Sequence, residues 1–210
     1  MVAILVTAWR RPDKVSQVIN NLRNEKPSKL YIACDGPDFS REGEKEKVEA
    51  TRSVIDQEID WDCNVEKLYS VHNLGCFKGI SSAINWFFEN EEQGIILEDD
   101  CIPHKDFFPY CEELLEKYKE DNRVWNISGS NFQNGLQRGD GSYYFSKYFH
   151  CWGWATWRKS WINFDSQLSQ LPKLYESNLL SSIFQSSIER KYWTKIWNRL
   201  VKDGKPDTWD

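Results

Sequence analysis

Three consecutive carboxylates, Glu98, Asp99 and Asp100, stand in the stretch GIILEDDCIPHKDFF, directly after an apolar run and ahead of a helix-like segment. Like charges this close repel one another unless hydrogen bonds or a cation compensate them. Acidic residues do favour the first turn of a helix, where orphan N–H groups and the positive end of the dipole meet them. Asp106, just before Phe107, already stands in that place, and the triplet lies too far upstream to share the turn. The other use is a hard cation: Mg²⁺ or Mn²⁺ takes one or two protein carboxylates and completes its shell with water and substrate phosphates. Spacing alone leaves both readings open. Other phosphate-binding and nucleophile devices are missing. In NLGCFKGISS, Lys78 precedes Gly79 and the Walker spacing fails; no G-x-G-x-x-G follows the first apolar run, and no G-x-S-x-G occurs.

The elements that must position these residues alternate. Residues 2–7 are an apolar, β-branched run that RRPD interrupts, and Val15, Val18, Ile19 and Leu22 then recur at helical spacing. Residues 30–34 read as a second strand ending in the turn Asp35-Gly36-Pro37-Asp38. A charged helix from about Glu44 directs Val48, Thr51, Ile55 and Ile59 inward; residues 65–71 are the third strand. Ile80, Ala83, Ile84, Phe87 and Phe88 mark a helix beginning just past Gly79, residues 95–97 the fourth strand, and Phe107 to Tyr118 the next helix. Residues 124–128 complete βαβαβαβαβ. Such alternation predicts an α/β fold with a mostly parallel sheet covered by helices on both faces. Ligands of such sheets bind beyond the carboxyl ends of the strands. Arg10 and Arg11, Asp35 and Asp38, His72 and Asn73, and the carboxylate triplet all fall at those ends. Residues 131–145 read as loop or irregular hairpin, and the tryptophans from Trp152 onward as helical or irregular.

Composition bounds the rest. With 210 residues, 40% hydrophobic and 28% charged, the chain suits one domain with a full core. A net charge of −5 argues against a nucleic-acid partner, for which domains are usually basic. The six cysteines show no C-x-x-C pairing and the three histidines are scattered, so free thiols are expected and a zinc site is not. No apolar stretch approaches a membrane span. The expected place is the cytoplasm, with a peripheral position at the inner face of the membrane as a further option.

TAWRRP, CDGPD, NLGCFKG and IILEDD, in this order and each at a strand end, resemble the nucleotide-sugar-binding half of a GT-A glycosyltransferase. The chain is closest to the family-2-like and N-acetylglucosaminyltransferase I-like branches, where EDDCIPHKDFF falls at the D-x-D motif. VWNISGSNFQNG and CWGWATW also resemble segments of the latter. The resemblance implies a GT-A, Rossmann-like fold without the usual C-terminal part. Residues 1–130 would bind the nucleotide-sugar, and 131–210 would form a shortened acceptor-side segment of the same structural domain. It implies a metal-dependent inverting glycosyltransferase that moves a sugar from a nucleoside-diphosphate donor, UDP-type favoured, to a glycan or other hydroxyl acceptor. Asp100 would hold Mn²⁺ or Mg²⁺. Thr7, Ala8, Arg11, Asp35, Lys78, Glu98 and Asp99 would bind the nucleotide-sugar; a solvated helix-start lysine is an equal reading of Lys78. Gly153 and Trp154 would meet acceptor or sugar, although most of the tryptophans read as core. The W-D segment in KPDTWD would supply the base, Asp210 first and Asp207 second.

Three alternatives stand beside that reading. A sugar-nucleotide pyrophosphorylase shares the sheet type, but would be expected to carry a Gly-rich basic segment after the first strand, and TAWRRP has no glycine. A non-catalytic nucleotide-sugar or sugar-binding module is the second. A glycoside hydrolase ranks last, because adjacent carboxylates on one loop are ill placed to flank a glycosidic bond.

Overall fold

The computed structural model describes residues 1–177 and 179–203. Its elements are β1 (Ile4–Ala8), α1 (Pro12–Glu25), β2 (Lys29–Cys34), α2 (Glu44–Glu58), β3 (Asn64–Tyr69), α3 (Gly75–Asn90), β4 (Gln93–Glu98), α4 (Phe107–Tyr118), β5 (Asn126–Ser128), β6 (Trp154–Trp157), α5 (Arg158–Trp161), α6 (Leu171–Glu176), α7 (Leu179–Ile183) and α8 (Ser187–Asp203). They form a six-stranded sheet of order β3-β2-β1-β4-β6-β5. The first four strands are parallel, and β6 runs antiparallel to both β4 and β5. The mostly parallel α/β sheet expected from the alternation is present.

Alternate residues of each central strand enter different cores, as the period of two requires. Ile4, Val6, Ile95 and Leu97 face α1, α2 and α4, where Val18, Leu22, Val48, Ile55, Phe108 and Leu115 meet them. Leu5, Tyr31 and Ile96 face the opposite side and pack on Ala83, Ile84, Phe87 and Phe88 of α3. Burying one such side chain is worth roughly 1.5–3 kcal/mol. Edge strand β3, with the sequence NVEKLY, is only partly covered.

Three expectations are corrected. The tryptophan-rich stretch after Trp152 contains a buried strand, β6, inserted between β4 and β5. Residues beyond 131 thus complete the same sheet that the first half begins. Its WATW sequence is mostly apolar but too short for periodicity to separate from a helix start. α3 begins at Gly75 instead of past Gly79, because the Asp35 carboxylate supplies acceptors to its first N–H groups across the sheet edge. Asp106 occupies the first position before α4 without a side-chain cap, its carboxylate lying 3.2 Å from Nδ1 of His104 instead.

Candidate active site at the strand ends

Register sets the site. β1 pairs with β4 so that Thr7 lies opposite Glu98, and with β2 so that Ala8 lies opposite Cys34. The residues that follow, Trp9 to Arg11, Asp35 and Asp99 to Asp100, must therefore emerge side by side. The β1–α1 connection is only three residues long, and Pro12 opens α1 with a preset φ. So short a link keeps Arg11 over the sheet edge.

Arg11 joins the carboxylates. Its Nη2 donates to Oδ1 of Asp99, its Nε donates to Oδ2 of the same residue at 3.3 Å, and its Nη1 donates to Oδ2 of Asp100 at 2.8 Å. Asp99 is 2% exposed and also accepts the Trp9 N–H at 3.4 Å. Burial raises the Asp99 pKa above the ordinary carboxylate value, while the fork from Arg11 pulls against that rise. The arginine side chain and that of Asp100 are each 46% exposed. Three of five guanidinium donors are engaged, which leaves two directed away from the carboxylates.

Arg10 serves a second pair. It donates to Oε2 of Glu44 at 2.7 Å and lies 4.2 Å from the Trp9 ring centre. Glu44 is buried and accepts the Asp38 N–H at 2.7 Å, which ties the turn after β2 to the turn after β1.

The Asp35 carboxylate is committed to backbone. It accepts from the N–H groups of Gly36 at 2.8 Å, Leu74 at 2.9 Å and Gly75 at 3.1 Å, and from Nδ2 of Asn73 at 3.1 Å. Its pKa is raised, because burial outweighs those donors. At Gly36 an added Cβ would lie 2.5 Å from the His72 carbonyl carbon, so only glycine lets the two loops approach. Arg52 of α2 secures the same corner by donating to the Ser70 carbonyl at 2.6 Å. Asp35 is therefore occupied as the anchor of the α3 entry.

Beside Asp100 opens a cleft of about 1640 Å³ between α4, β5 and residues 129–153. Asp100, Pro103, Tyr110, Tyr143, Trp152 and Gly153 are among its walls. The outer wall is tied at both ends: the Gly129 N–H donates to Gly153 O at 2.8 Å, and Ser128 Oγ donates to His150 O at 3.0 Å. Gly153 has a φ of +72°, a conformation that side chains resist. Lys117 donates to the Tyr143 hydroxyl at 2.6 Å, and the Tyr118 and Tyr143 hydroxyls lie 2.7 Å apart. Burial pushes Tyr110 up to about 12 and the Cys101 thiol up to about 11, so both stay protonated at neutral pH.

The other expected residues disperse. Thr7 and Ala8 are buried, with Thr7 Oγ1 within 3.5 Å of Leu97 O. Glu98 is half-buried at the end of β4. Lys78 is exposed on α3. Gly153 reaches the cleft, whereas Trp154 is buried in β6 opposite Ile96. Asp207 and Asp210 lie outside the described residues. Glu44 and Arg52 were illegible beforehand, since a charged helix offers no local sign of which charge turns inward.

Asp100, which the resemblance reserves for Mn²⁺ or Mg²⁺, has its Oδ2 taken by Arg11 at 2.8 Å, so the guanidinium would have to turn away before that oxygen met an ion. Among the described residues no group of three or more His, Cys, Asp or Glu side chains is placed to hold a metal.

No family model matches the chain. No curated protein matches it either. Solved structures similar to it include a cytidylyltransferase from Leptospira borgpetersenii serovar Hardjo-bovis (13% identity, TM-score 0.47, 85% of this chain and 72% of that one). HddC from Yersinia pseudotuberculosis follows (11%, 0.44, 82% and 86%). A third is 4-diphosphocytidyl-2C-methyl-D-erythritolsynthase from Anaerococcus prevotii (8%, 0.43, 84% and 85%). Inverting glycosyl transfer, the activity implied by the sequence resemblance, is corrected here: two of these proteins are named for cytidylyl chemistry and none for glycosyl transfer.

Proposed function

We propose that the chain is a nucleotidyltransferase of the sugar-nucleotide pyrophosphorylase type, which joins a nucleoside triphosphate to a sugar phosphate and releases pyrophosphate. The observation that carries the proposal is Arg11, held on Asp99 and Asp100 at the carboxyl ends of β1 and β4, at the edge of the wide cleft. A guanidinium fixed in this way presents its remaining N–H pair to phosphate oxygens bidentately. The buried Asp99 carboxylate prevents the arginine from swinging, so the donors are oriented before a ligand arrives. The missing glycines after β1 are offset by two arginines in a three-residue turn, where the fold places the ligand crevice.

In the reaction an oxygen of the sugar phosphate attacks the α-phosphorus, a new P–O bond forms, and pyrophosphate leaves with the electron pair of the broken bond. Negative charge grows on the leaving group, and a preorganised cation beside it lowers the barrier. Arg11 is assigned that role. The cleft takes the sugar, whose apolar face can rest on aromatic walls such as Tyr110 or Trp152.

The test is pyrophosphate release from a panel of four nucleoside triphosphates crossed with sugar 1-phosphates, beside thermal-shift binding. Release with at least one pair, lost in Arg11→Gln, is expected. Binding of a nucleotide without release under any pair would reduce the protein to a binding module. Release of nucleoside diphosphate from a nucleotide-sugar would overturn the assignment.

A further inference from the structure

Helix α8 is the longest described element with no buried residue. Over its 17 residues none is buried, and Ile188, Tyr192 and Val201 are 79%, 58% and 54% exposed. Its sequence SIERKYWTKIWNRLVKD carries five basic residues, Arg190, Lys191, Lys195, Arg199 and Lys202, against Glu189 and Asp203, in a chain whose net charge is −5. Glu189 is already paired with Lys147 at 2.9 Å.

Ile188, Tyr192, Ile196 and Leu200 follow one another at four-residue steps, the first two exposed and the last two half-buried; Lys191, Lys195 and Lys202 run along the Ile188 border, and Arg199 projects between Ile188 and Tyr192. Trp193 and Trp197 lie on the other side of the stripe; Trp193 stacks on Phe184 at 6.3 Å and Trp197 lies tilted 6.1 Å from the same ring, with Tyr148 6.1 Å from Trp193. These aromatic contacts tether the helix to the body and leave the Ile188–Tyr192 edge outward. Leu179 and Ile183 of α7 are likewise 57% and 45% exposed.

We propose that α8 rests on an anionic lipid bilayer, its apolar stripe in the headgroup boundary and its lysines on lipid phosphates. Charge decides the occupant. Lysine is depleted from protein–protein interfaces, whereas a lysine border beside an apolar and aromatic stripe is the pattern of a helix lying in the plane of an interface. No described helix is long and apolar enough to cross a membrane, so α8 lies on the bilayer and does not span it. This surface is independent of the strand-end site and stands whether or not that site transfers nucleotides.

Flotation of the full chain with vesicles of pure phosphatidylcholine, and of phosphatidylcholine with 30% phosphatidylglycerol, tests it. The anionic vesicles are expected to bind at least tenfold more protein, and 0.5 M salt to remove most of that. A Lys191→Glu, Lys195→Glu, Lys202→Glu variant should lose the difference. Ile188→Ser should weaken binding several-fold at an unchanged melting temperature. Should the triple variant misfold, neutralisation to Gln at the same sites reads the same charge dependence. Equal binding to both vesicles, no binding, or charge variants that bind as the parent does would overturn the proposal. So would concentration-dependent dimers in sedimentation without lipid that Ile188→Ser abolishes, which would assign the stripe to a second copy.

Discussion

The strand-end edge and helix α8 are opposite solutions for charged residues in one chain. At the edge, Arg10 and Arg11 are tied to carboxylates that are almost fully buried, and Asp35 accepts backbone N–H groups from two loops. On α8 the lysines are exposed beside exposed apolar side chains. Buried charges must be paired and hydrogen-bonded, which restricts them to one geometry. Exposed charges are under no such constraint and contribute little to stability. The edge is therefore built for position, and the helix for contact with something outside the molecule.

The largest expected effect lies in the core that holds the sheet, where β1 and β4 begin. Phe87→Ala removes a fully buried ring packed on Tyr31 and Phe88, and should lower unfolding free energy by about 3–5 kcal/mol in urea titrations. A loss under 1 kcal/mol would mean that the α3 face collapses readily around the gap. Asp35→Ala comes next. It strips acceptors from the Gly36, Leu74 and Gly75 N–H groups and should cost about 1–3 kcal/mol, with faster amide exchange confined to the start of α3.

Arg11→Gln is smaller in stability, about 1 kcal/mol, because the guanidinium is half-exposed. Its signature is pH dependence. The Asp99 pKa already stands above its unfolded value, and Arg11 opposes the rise. Without the arginine the folded value climbs further, so the native state holds a proton that the unfolded chain releases. The variant should match the parent best below about pH 4, lose stability as pH rises through the folded value, and differ most at neutral pH. Carboxyl-carbon NMR of Asp99 reads the shift directly. Last, Ile188→Ser on α8 should stay within about 0.5 kcal/mol of the parent in the same titrations. A larger loss would show that α8 is packed more firmly than its exposure indicates, and would erase the contrast between the two regions.

The legible part of the fold was the periodic part. Val15, Val18, Ile19 and Leu22 face one core at the spacing that marked them as a helix face, and Ala83, Ile84, Phe87 and Phe88 do the same on the other side. The gathering of Arg11, Asp35, Asn73 and the carboxylates at one edge also followed from alternation alone, since parallel strands end together. β6 was missed because a four-residue run, WATW, carries too little period to distinguish strand from helix. The hydrogen-bond partners of Asp35 and Asp100 were illegible because they lie 39 and 89 positions away in the chain.

Local pattern was enough to specify which segments become helices and strands, which faces turn inward, and which end of the sheet collects the polar side chains. Each of those depends on neighbours within a turn or two. Strand order and register were left to the folded chain, and with them which cation meets which carboxylate. Arg11 reaches Asp99 only because β1 lies beside β4 with Thr7 opposite Glu98, and a shift of one residue would turn every side chain of the strand to the other face.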